Sequence, residues 1–281
     1  MSSMSDIDLG LRVSELSYRI GSAVLVDGVS IKVKPGEVTA IIGPNGAGKS
    51  TFLRLLAGDL KPHSGSVTLD GRALDDWGDR ELARRRAVMP QSSTLSFPFT
   101  VEQVALLGRL PHLERRESET DHYIASRALI WSGANHLADR SYPTLSGGER
   151  QRVDFARALT QIWHPVEDSA RYLFLDEPTS ALDLARQHDL LHRVHKFARQ
   201  NVAVVIVLHD LNLAAQYADR ILVLDHGCPV GWGVPSRTLQ PELIQNTFGL
   251  SVIVAEHPTK DVPLIVPNPS SPEIIETGNS I

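Results

Sequence analysis

The sequence predicts an α/β fold in which helices cover both faces of a mostly parallel β-sheet. Three short apolar runs carry this prediction: residues 38–43 (VTAIIG), 172–177 (YLFLDE) and 202–210 (VAVVIVLHD). Their nearly continuous apolar, β-branched composition is typical of strands buried on both faces. Long helical stretches separate the runs, and each run meets polar residues at its carboxyl end. Because ligands collect at that edge of open α/β sheets, we expect the functional site there.

Composition narrows the class of protein. The chain has 281 residues, of which 42% are hydrophobic and 22% charged, as in ordinary soluble globular proteins. A net charge of −5 gives no overall basic surface for nucleic acid, and a single cysteine excludes an internal disulfide. The N-terminus is too polar for a signal peptide, and no apolar run reaches the roughly 18 residues of a membrane span.

The chain divides into segments of different pattern. Residues 1–255 are predicted to form one domain, with its core in residues 1–91 and 159–255. Residues 11–20 and 26–37 alternate like half-buried strands, and residues 64–74 predict a hairpin that turns at Asp70 and Gly71. Residues 92–158 show helical stretches broken by prolines, which predicts an inserted helical subdomain. Residues 256–281 are rich in proline and predict an irregular tail.

A phosphate-binding loop is the strongest motif. Residues 43–51 (GPNGAGKST) fit G-x-x-x-x-G-K-[ST], with a predicted strand before them and a predicted helix after them. The glycines let successive N–H groups point at phosphate oxygens, and the helix N-terminus adds positive potential. Lys49 is predicted to reach the β- and γ-phosphates and Ser50 to ligate Mg²⁺. The predicted nucleotide-binding residues are Gly43, Pro44, Asn45, Gly46, Ala47, Gly48, Lys49, Ser50 and Thr51.

Two carboxylates end the second apolar run. Adjacent residues of a strand point to opposite faces, so Asp176 and Glu177 are predicted to have different roles. We expect Asp176 in the Mg²⁺ shell and Glu177 beside an attacking water. His209 ends the third run at the same sheet edge, which favours a γ-phosphate contact over an ordinary surface histidine. Tyr18 fits a core position or an adenine-stacking position equally well.

With these residues in place, the chain resembles the ATP-binding subunit of ABC transporters over residues 11–250. GPNGAGKST matches the Walker A motif, and YLFLDEP matches Walker B. LSGGERQR at residues 145–152 matches the ABC signature, which other P-loop ATPases lack. Gln91 matches the Q-loop, SALD at residues 180–183 the D-loop and His209 the switch histidine. Tyr18 matches the A-loop aromatic, so the resemblance favours adenine stacking for it.

The resemblance implies an ABC cassette with a RecA-like P-loop core, an antiparallel β subdomain and the inserted helical subdomain. It implies a head-to-tail homodimer in which Ser146, Gly147 and Gly148 contact the γ-phosphate of an ATP held by the partner. Asp183 would also lie at the nucleotide. Gln91 would sense Mg²⁺ and the attacking water, and residues 92–112 would form a groove for a permease helix.

The finer resemblance is to importers of metal chelates, most of all the hemin-importer ATP-binding subunit. The matching stretches include LSFPFTVEQVALLGRLPH, LTQIWHPVEDSARYLFLDEP and the PLIVP ending. The implied protein is an ATPase on the cytoplasmic face of the inner membrane, bound to two copies of a transmembrane permease and, through them, to a periplasmic or surface substrate-binding protein. Ferric siderophore or cobalamin import is the alternative. A soluble ABC ATPase acting on nucleic acid fits less well, because the chain has one cassette, a short insert and an acidic charge.

Two other features are weaker. Cys228 and Pro229 resemble the Cys-Pro pair of some haem-regulated proteins, but their surroundings predict an ordinary hairpin turn. The histidines show no recognisable metal-ligand spacing, and those at 188, 192 and 195 share a helix face that we expect to be solvated.

Overall fold

The structure is a computed structural model that describes residues 9–92, 97–165 and 169–268. Its strands are β1 (Leu11–Ile20), β2 (Ala23–Val33), β3 (Val38–Ile42), β4 (Ser64–Leu69), β5 (Arg72–Ala73), β6 (Arg86–Met89), β7 (Arg171–Asp176), β8 (Val202–Val207), β9 (Arg220–Asp225), β10 (Cys228–Gly233), β11 (Val252–Glu256) and β12 (Pro263–Pro267). Its α-helices are α1 (Lys49–Ala57), α2 (Asp79–Ala83), α3 (Val101–Leu106), α4 (Glu119–Ser132), α5 (Gly147–Gln161), α6 (Leu184–Ala198), α7 (Leu211–Tyr217), α8 (Pro235–Thr238) and α9 (Pro241–Phe248). Short 3₁₀ helices cover Leu74–Asp76, Leu107–His112, Asn135–Leu137 and Tyr142–Thr144.

The core is a six-stranded sheet in the order β10-β9-β3-β8-β7-β6. Its five strands from β9 to β6 are parallel, and β10 is antiparallel to β9 at one edge. Every residue of β3, β7 and β8 is buried, as the continuous apolar runs predict. The carboxyl ends of these three strands therefore meet at one edge, and the predicted α/β core is confirmed.

A second sheet, in the order β2-β1-β4-β5, is antiparallel and packs on the helix α1 side of the core. The predicted hairpin turns at Asp70 and Gly71, whose φ angles of 51° and 78° are both left-handed. Asp70 also joins this sheet to the core, since its carboxylate accepts hydrogen bonds from the Tyr172 hydroxyl and the Ser169 hydroxyl, at 2.5 and 2.8 Å. The antiparallel subdomain is thus tied to the start of β7.

The helical subdomain consists of α3, the 3₁₀ helix after it, α4 and the first turns of α5, which pack on one another. Capping boxes at Thr100 and Ser118 begin α3 and α4. A buried ion pair joins the Arg109 Nε to Asp121 Oδ1 at 2.8 Å. The predicted boundary at residue 158 falls inside α5, which continues to Gln161 and contacts β6. The subdomain and the core therefore share one continuous helix.

Two segments differ from the sequence prediction. Residues 86–89 form strand β6, which their arginine-rich context hides. The predicted irregular tail is wrong for residues 256–267, because β11 and β12 pair as an antiparallel hairpin. Pro263 and Pro267 stand at the two ends of β12, where a missing N–H group interrupts the ladder least. The rest of that tail lies outside the described residues.

The Asn212 side chain joins the C-terminal hairpin to helix α7 by two hydrogen bonds. Asn212 of α7 donates from Nδ2 to the Ile265 carbonyl at 3.0 Å and accepts from the Ile265 N–H at 2.8 Å. The amide thus extends the strand's hydrogen bonding onto a helix. In the described parts of the chain, no helix is long and apolar enough to cross a membrane.

Candidate functional site

The phosphate-binding loop lies between β3 and α1 and is packed tightly from behind. Gly43 and Gly48 have φ angles of 155° and 90°, and a Cβ at either would lie 2.1 Å from a backbone oxygen, of Leu224 or Leu25 respectively. Only glycine fits these two positions. An open cleft in front of the loop is lined by Leu25, residues 45–51 and Glu177.

Lys49 places a buried cation in the loop. Lys49 is only 6% exposed, and its Nζ donates to the carbonyls of Gly43 and Pro44 at 2.9 and 2.8 Å. Burial lowers the pKa of Lys49, while the negative charges of Glu177 and Asp176 act in the opposite direction. An ammonium group has three donors, so one further N–H remains to meet an anion.

Ser50 and Asp176 come together from α1 and β7. The Ser50 hydroxyl donates to Asp176 Oδ1 at 3.0 Å, and Asp176 is 7% exposed. Burial raises the pKa of Asp176, although the hydrogen bond from Ser50 acts to lower it. A desolvated carboxylate beside a hydroxyl is a set of oxygen donors that suits a hard divalent cation.

Glu177 stands at the end of β7, but not in the geometry that the sequence predicts. The strand ends at Asp176, and Glu177 adopts a left-handed φ of 49°. Strand alternation is therefore the wrong reason for the separate surroundings of the two carboxylates. The left-handed turn at Glu177 is the actual cause.

Two side chains hold the Glu177 carboxylate. Gln91 Nε2 donates to Oε2 at 2.7 Å, and His209 Nε2 lies 2.6 Å from Oε1. The glutamate side chain is 13% exposed, whereas the His209 side chain is 48% exposed. The sheet edge thus brings three predicted residues into one hydrogen-bonded group, and carboxylate lone pairs remain for a water molecule.

The signature residues form the start of α5. Ser146 is its N-cap, and the Ser146 N–H and hydroxyl both donate to Glu149 Oε2, at 2.8 and 2.9 Å. These hydrogen bonds, that from the Ser146 backbone foremost, lower the pKa of Glu149. Ser146 and Gly147 are exposed, while Gly148 packs against Ala181 and Leu182. Within one chain, the start of α5 therefore packs against the D-loop.

Two predicted residues lie apart from this group. Asp183 caps α6, where its Oδ1 accepts from the Arg186 N–H at 2.9 Å. Tyr18 of β1 pairs with Val26, and its ring meets His63 edge-to-face with centroids 5.2 Å apart. Leu25, the neighbour of Val26, lines the cleft and was not predicted, because only the strand register places it there.

Known proteins of similar sequence show which family the chain belongs to. The family model described as ABC transporter matches residues 26–180, just over half of the chain. The chain belongs to the ABC transporter family. Its cassette fold is confirmed, and as a member of this family it binds ATP and hydrolyses it.

Individual relatives cover nearly the whole chain. The hemin import ATP-binding protein HmuV of Gloeobacter violaceus is 49% identical over 271 residues, which are 96% of this chain and 98% of the relative. HmuV of Pseudomonas aeruginosa is 51% identical over 256 residues, which are 91% and 99% of the two chains.

Solved structures show the same cassette. A metal-chelate type ABC transporter in an inward-facing conformation superimposes with a TM-score of 0.78 at 28% identity, covering 93% of this chain and 98% of that one. The dimeric bacterial ABC transporter cassette MJ0796 has a TM-score of 0.69 at 27% identity, covering 80% and 98%.

Proposed function

We propose that this cassette is the ATP-hydrolysing subunit of a hemin importer. The proposal rests on the similarity to hemin import ATP-binding proteins of two bacteria. Each of them is about 50% identical to this chain over more than 90% of its length. One similar solved structure is of a metal-chelate type transporter, and hemin belongs to that class of cargo. Ferric siderophores and cobalamin are metal chelates too, and they are the alternative outcomes of the test below.

In this proposal the hydrolysis site lies at the sheet edge. The N–H groups of residues 43–51 and the remaining donor of Lys49 bind the phosphates, and Tyr18 stacks on adenine. Glu177, oriented by Gln91 and His209, polarises the water whose oxygen attacks the γ-phosphorus. The bond from the γ-phosphorus to the β–γ bridging oxygen breaks, and ADP and phosphate leave. His209 also contacts the γ-phosphate, and Asp183 contacts the nucleotide.

Mg²⁺ fits this site as the cofactor bound with ATP. The supporting observation is the 3.0 Å approach of the Ser50 hydroxyl to the buried Asp176 carboxylate. Ser50 and Asp176 would hold the cation, with Gln91 Oε1 as a further oxygen donor. The bound cation neutralises charge on the phosphates.

Two cassettes are proposed to pair about a two-fold axis, so that each ATP lies between one chain's Lys49 and the other chain's Ser146, Gly147 and Gly148. Three features support this. Ser146 and Gly147 are exposed at a helix N-terminus, Gly147 lies against Ala181 of the D-loop in its own chain, and Leu184, the first residue of α6 after the D-loop, is 73% exposed. ATP then contacts an extra surface only in the closed dimer, so its binding favours closure.

The proposed partners outside the dimer are two copies of a transmembrane permease and, through them, a periplasmic or surface substrate-binding protein. The location is then the cytoplasmic face of the inner membrane. Phe97 and Leu110 of the helical subdomain are 70% and 59% exposed and offer an apolar surface to a permease helix. Of the predicted groove, residues 92 and 97–112 lie within the described chain.

The test is reconstitution of this chain with its permease in proteoliposomes that contain a hemin-loaded substrate-binding protein. Hemin should stimulate ATP hydrolysis several-fold, and the Glu177→Gln variant should show no stimulation. Stimulation by a ferric siderophore or by cobalamin, with none by hemin, would replace the proposed cargo. Co-purification with nucleic acid and not with a membrane protein would remove the transport proposal altogether.

A further inference from the structure

Gln151 is a buried polar residue that joins the signature helix to the D-loop. It lies on α5, five residues after Ser146, and is 8% exposed. Its Nε2 donates to the Ser180 hydroxyl oxygen at 2.9 Å, and its Oε1 accepts from the Ala181 N–H at 3.3 Å. One amide therefore binds two successive residues of the loop between β7 and α6.

The direction of these hydrogen bonds is fixed by chemistry. The Ala181 N–H can only donate, so Gln151 must turn its oxygen toward it and its nitrogen toward Ser180. The Ser180 hydroxyl then accepts from Gln151, and its own proton goes to the Glu177 carbonyl oxygen at 3.1 Å. A continuous chain of hydrogen bonds thus runs from α5 to the backbone of Glu177.

Close packing makes this connection stiff. A Cβ on Gly148 would lie 3.0 Å from Leu182 Cδ2 and 3.1 Å from the Ala181 carbonyl oxygen. A Cβ on Gly147 would lie 3.2 Å from Ala181 Cβ. The start of α5 cannot shift against the D-loop without moving it, since packed interiors yield little.

We infer that Gln151 is a positioning residue for Glu177, coupling the signature end of α5 to the carboxylate that activates water in the same chain. The inference rests on the proposed dimer, in which the signature touches the ATP of the partner subunit. Occupancy of that ATP site would then be transmitted through Gln151 and Ser180 to the Glu177 that serves the other site. Gln151 itself touches no nucleotide.

The structure supplies a matched control in Gln187 of α6. Its Nε2 donates to the carbonyls of Thr179 and Leu182, at 3.2 and 3.0 Å, so it holds the same loop. Gln187 lies on α6 and its described hydrogen bonds make no connection to α5. A role limited to stabilising the loop would give both glutamines the same phenotype.

The experiment compares the full-length chain with the Gln151→Met, Gln151→Glu and Gln187→Met variants in steady-state ATP hydrolysis. Gln151→Met should lower kcat about tenfold, because the free energy of one hydrogen bond corresponds to about that factor in rate. The KM for ATP should stay unchanged within about twofold. Its Hill coefficient for ATP should fall toward one. Gln151→Glu preserves side-chain size but cannot donate to Ser180, so it should behave in the same way even if the methionine variant folds poorly.

Gln187→Met should keep the wild-type Hill coefficient. In addition, Ser180→Ala combined with Gln151→Met should lower kcat no further than either change alone, because both break the same chain of hydrogen bonds. Wild-type kcat and Hill coefficient in both Gln151 variants, or equal losses in the Gln151 and Gln187 variants, would overturn the inference. Failure of the proposed dimer looks different, because the wild-type chain itself would then hydrolyse ATP without cooperativity.

Discussion

At Glu177 the backbone conformation of a single residue determines where a carboxylate points. A left-handed φ of 49° is uncommon outside glycine and asparagine and costs on the order of 1 kcal/mol. The surrounding contacts maintain it, since the turn directs the carboxylate away from Asp176 and toward Gln91 and His209. One carboxylate can then serve a cation and its neighbour a water molecule.

Replacing the Glu177 carboxylate with an amide should separate binding from hydrolysis. Glu177→Gln keeps the size of the side chain but removes its charge and its ability to accept a proton, so we expect kcat to fall by about 10²–10³-fold with little change in ATP affinity. Stopped-assay phosphate release and equilibrium nucleotide binding measure the two quantities. Glu149→Gln is the control, because an amide oxygen can still cap Ser146. Full turnover by Glu177→Gln would refute the assigned role.

Lys49→Ala should weaken both nucleotide binding and ATP hydrolysis. The change removes a buried cation whose third donor is proposed to bind the phosphates, so nucleotide affinity should fall at least tenfold and hydrolysis should be lost. Fluorescent nucleotide titration and phosphate release check this. Lys61→Ala provides the control, since Lys61 is an exposed partner of Asp75 at 3.9 Å. Equal affinities of the Lys49→Ala variant and the wild-type chain would contradict the assignment.

At the scale of elements, the helical subdomain depends on a buried ion pair. Asp121 accepts from Arg109 at 2.8 Å and from the Ser118 hydroxyl at 2.6 Å. Burial alone would raise the pKa of Asp121, but the hydrogen bonds from Ser118 and Arg109 outweigh it and lower the pKa to about 2. The carboxylate therefore stabilises the fold wherever it is ionised.

This ion pair should make the free energy of unfolding fall at low pH. A carboxyl with a lowered folded-state pKa contributes stability that is complete above its unfolded pKa of about 4 and is lost as the pH falls through about 2. Asp121→Asn should cost about 3 kcal/mol near pH 7, and its deficit relative to wild type should shrink by about 2 kcal/mol between pH 5 and pH 2. Urea unfolding across this pH range measures the deficit.

Asp189→Asn is the matched control for that experiment. Asp189 also meets an arginine, Arg193, at 2.8 Å, but its side chain is 53% exposed. An exposed pair contributes at most about 1 kcal/mol, so this variant should show a small deficit with little pH dependence. Identical pH profiles for the two variants would exclude Asp121 as the source.

Elements differ in how well sequence patterns predict them. The phosphate-binding loop and strands β3, β7 and β8 are predictable because period, glycine spacing and chemistry agree locally. The C-terminal hairpin is not, since proline content favours an irregular segment and the hairpin depends on Asn212, about fifty residues away in sequence. The contact of Gln151 with Ser180 is equally hidden, because no local pattern reports which loop a helix will touch.

At the scale of the whole molecule, the described chain contains the parts of an ATPase site without joining them all. Lys49, Asp176, Glu177, Gln91 and His209 meet at the edge of the central sheet. Ser146 and Gly147, which the family resemblance assigns to the γ-phosphate, are exposed at the start of α5, and Gly147 lies against the D-loop of its own chain. The proposed two-fold dimer would bring the two groups together twice, and it is the simplest arrangement that would complete both sites.

The shared site is tested most directly by measuring molecular mass in the presence of ATP. Light scattering, coupled to nucleotide quantification, compares the Glu177→Gln chain with the Glu177→Gln, Ser146→Arg double variant. Glu177→Gln should form a dimer that holds one ATP per chain. The double variant should remain a monomer that still holds one ATP per chain, because arginine blocks only the partner's site. Loss of ATP from the monomeric double variant, or an ATP-dependent dimer despite Ser146→Arg, would contradict a site shared between two chains.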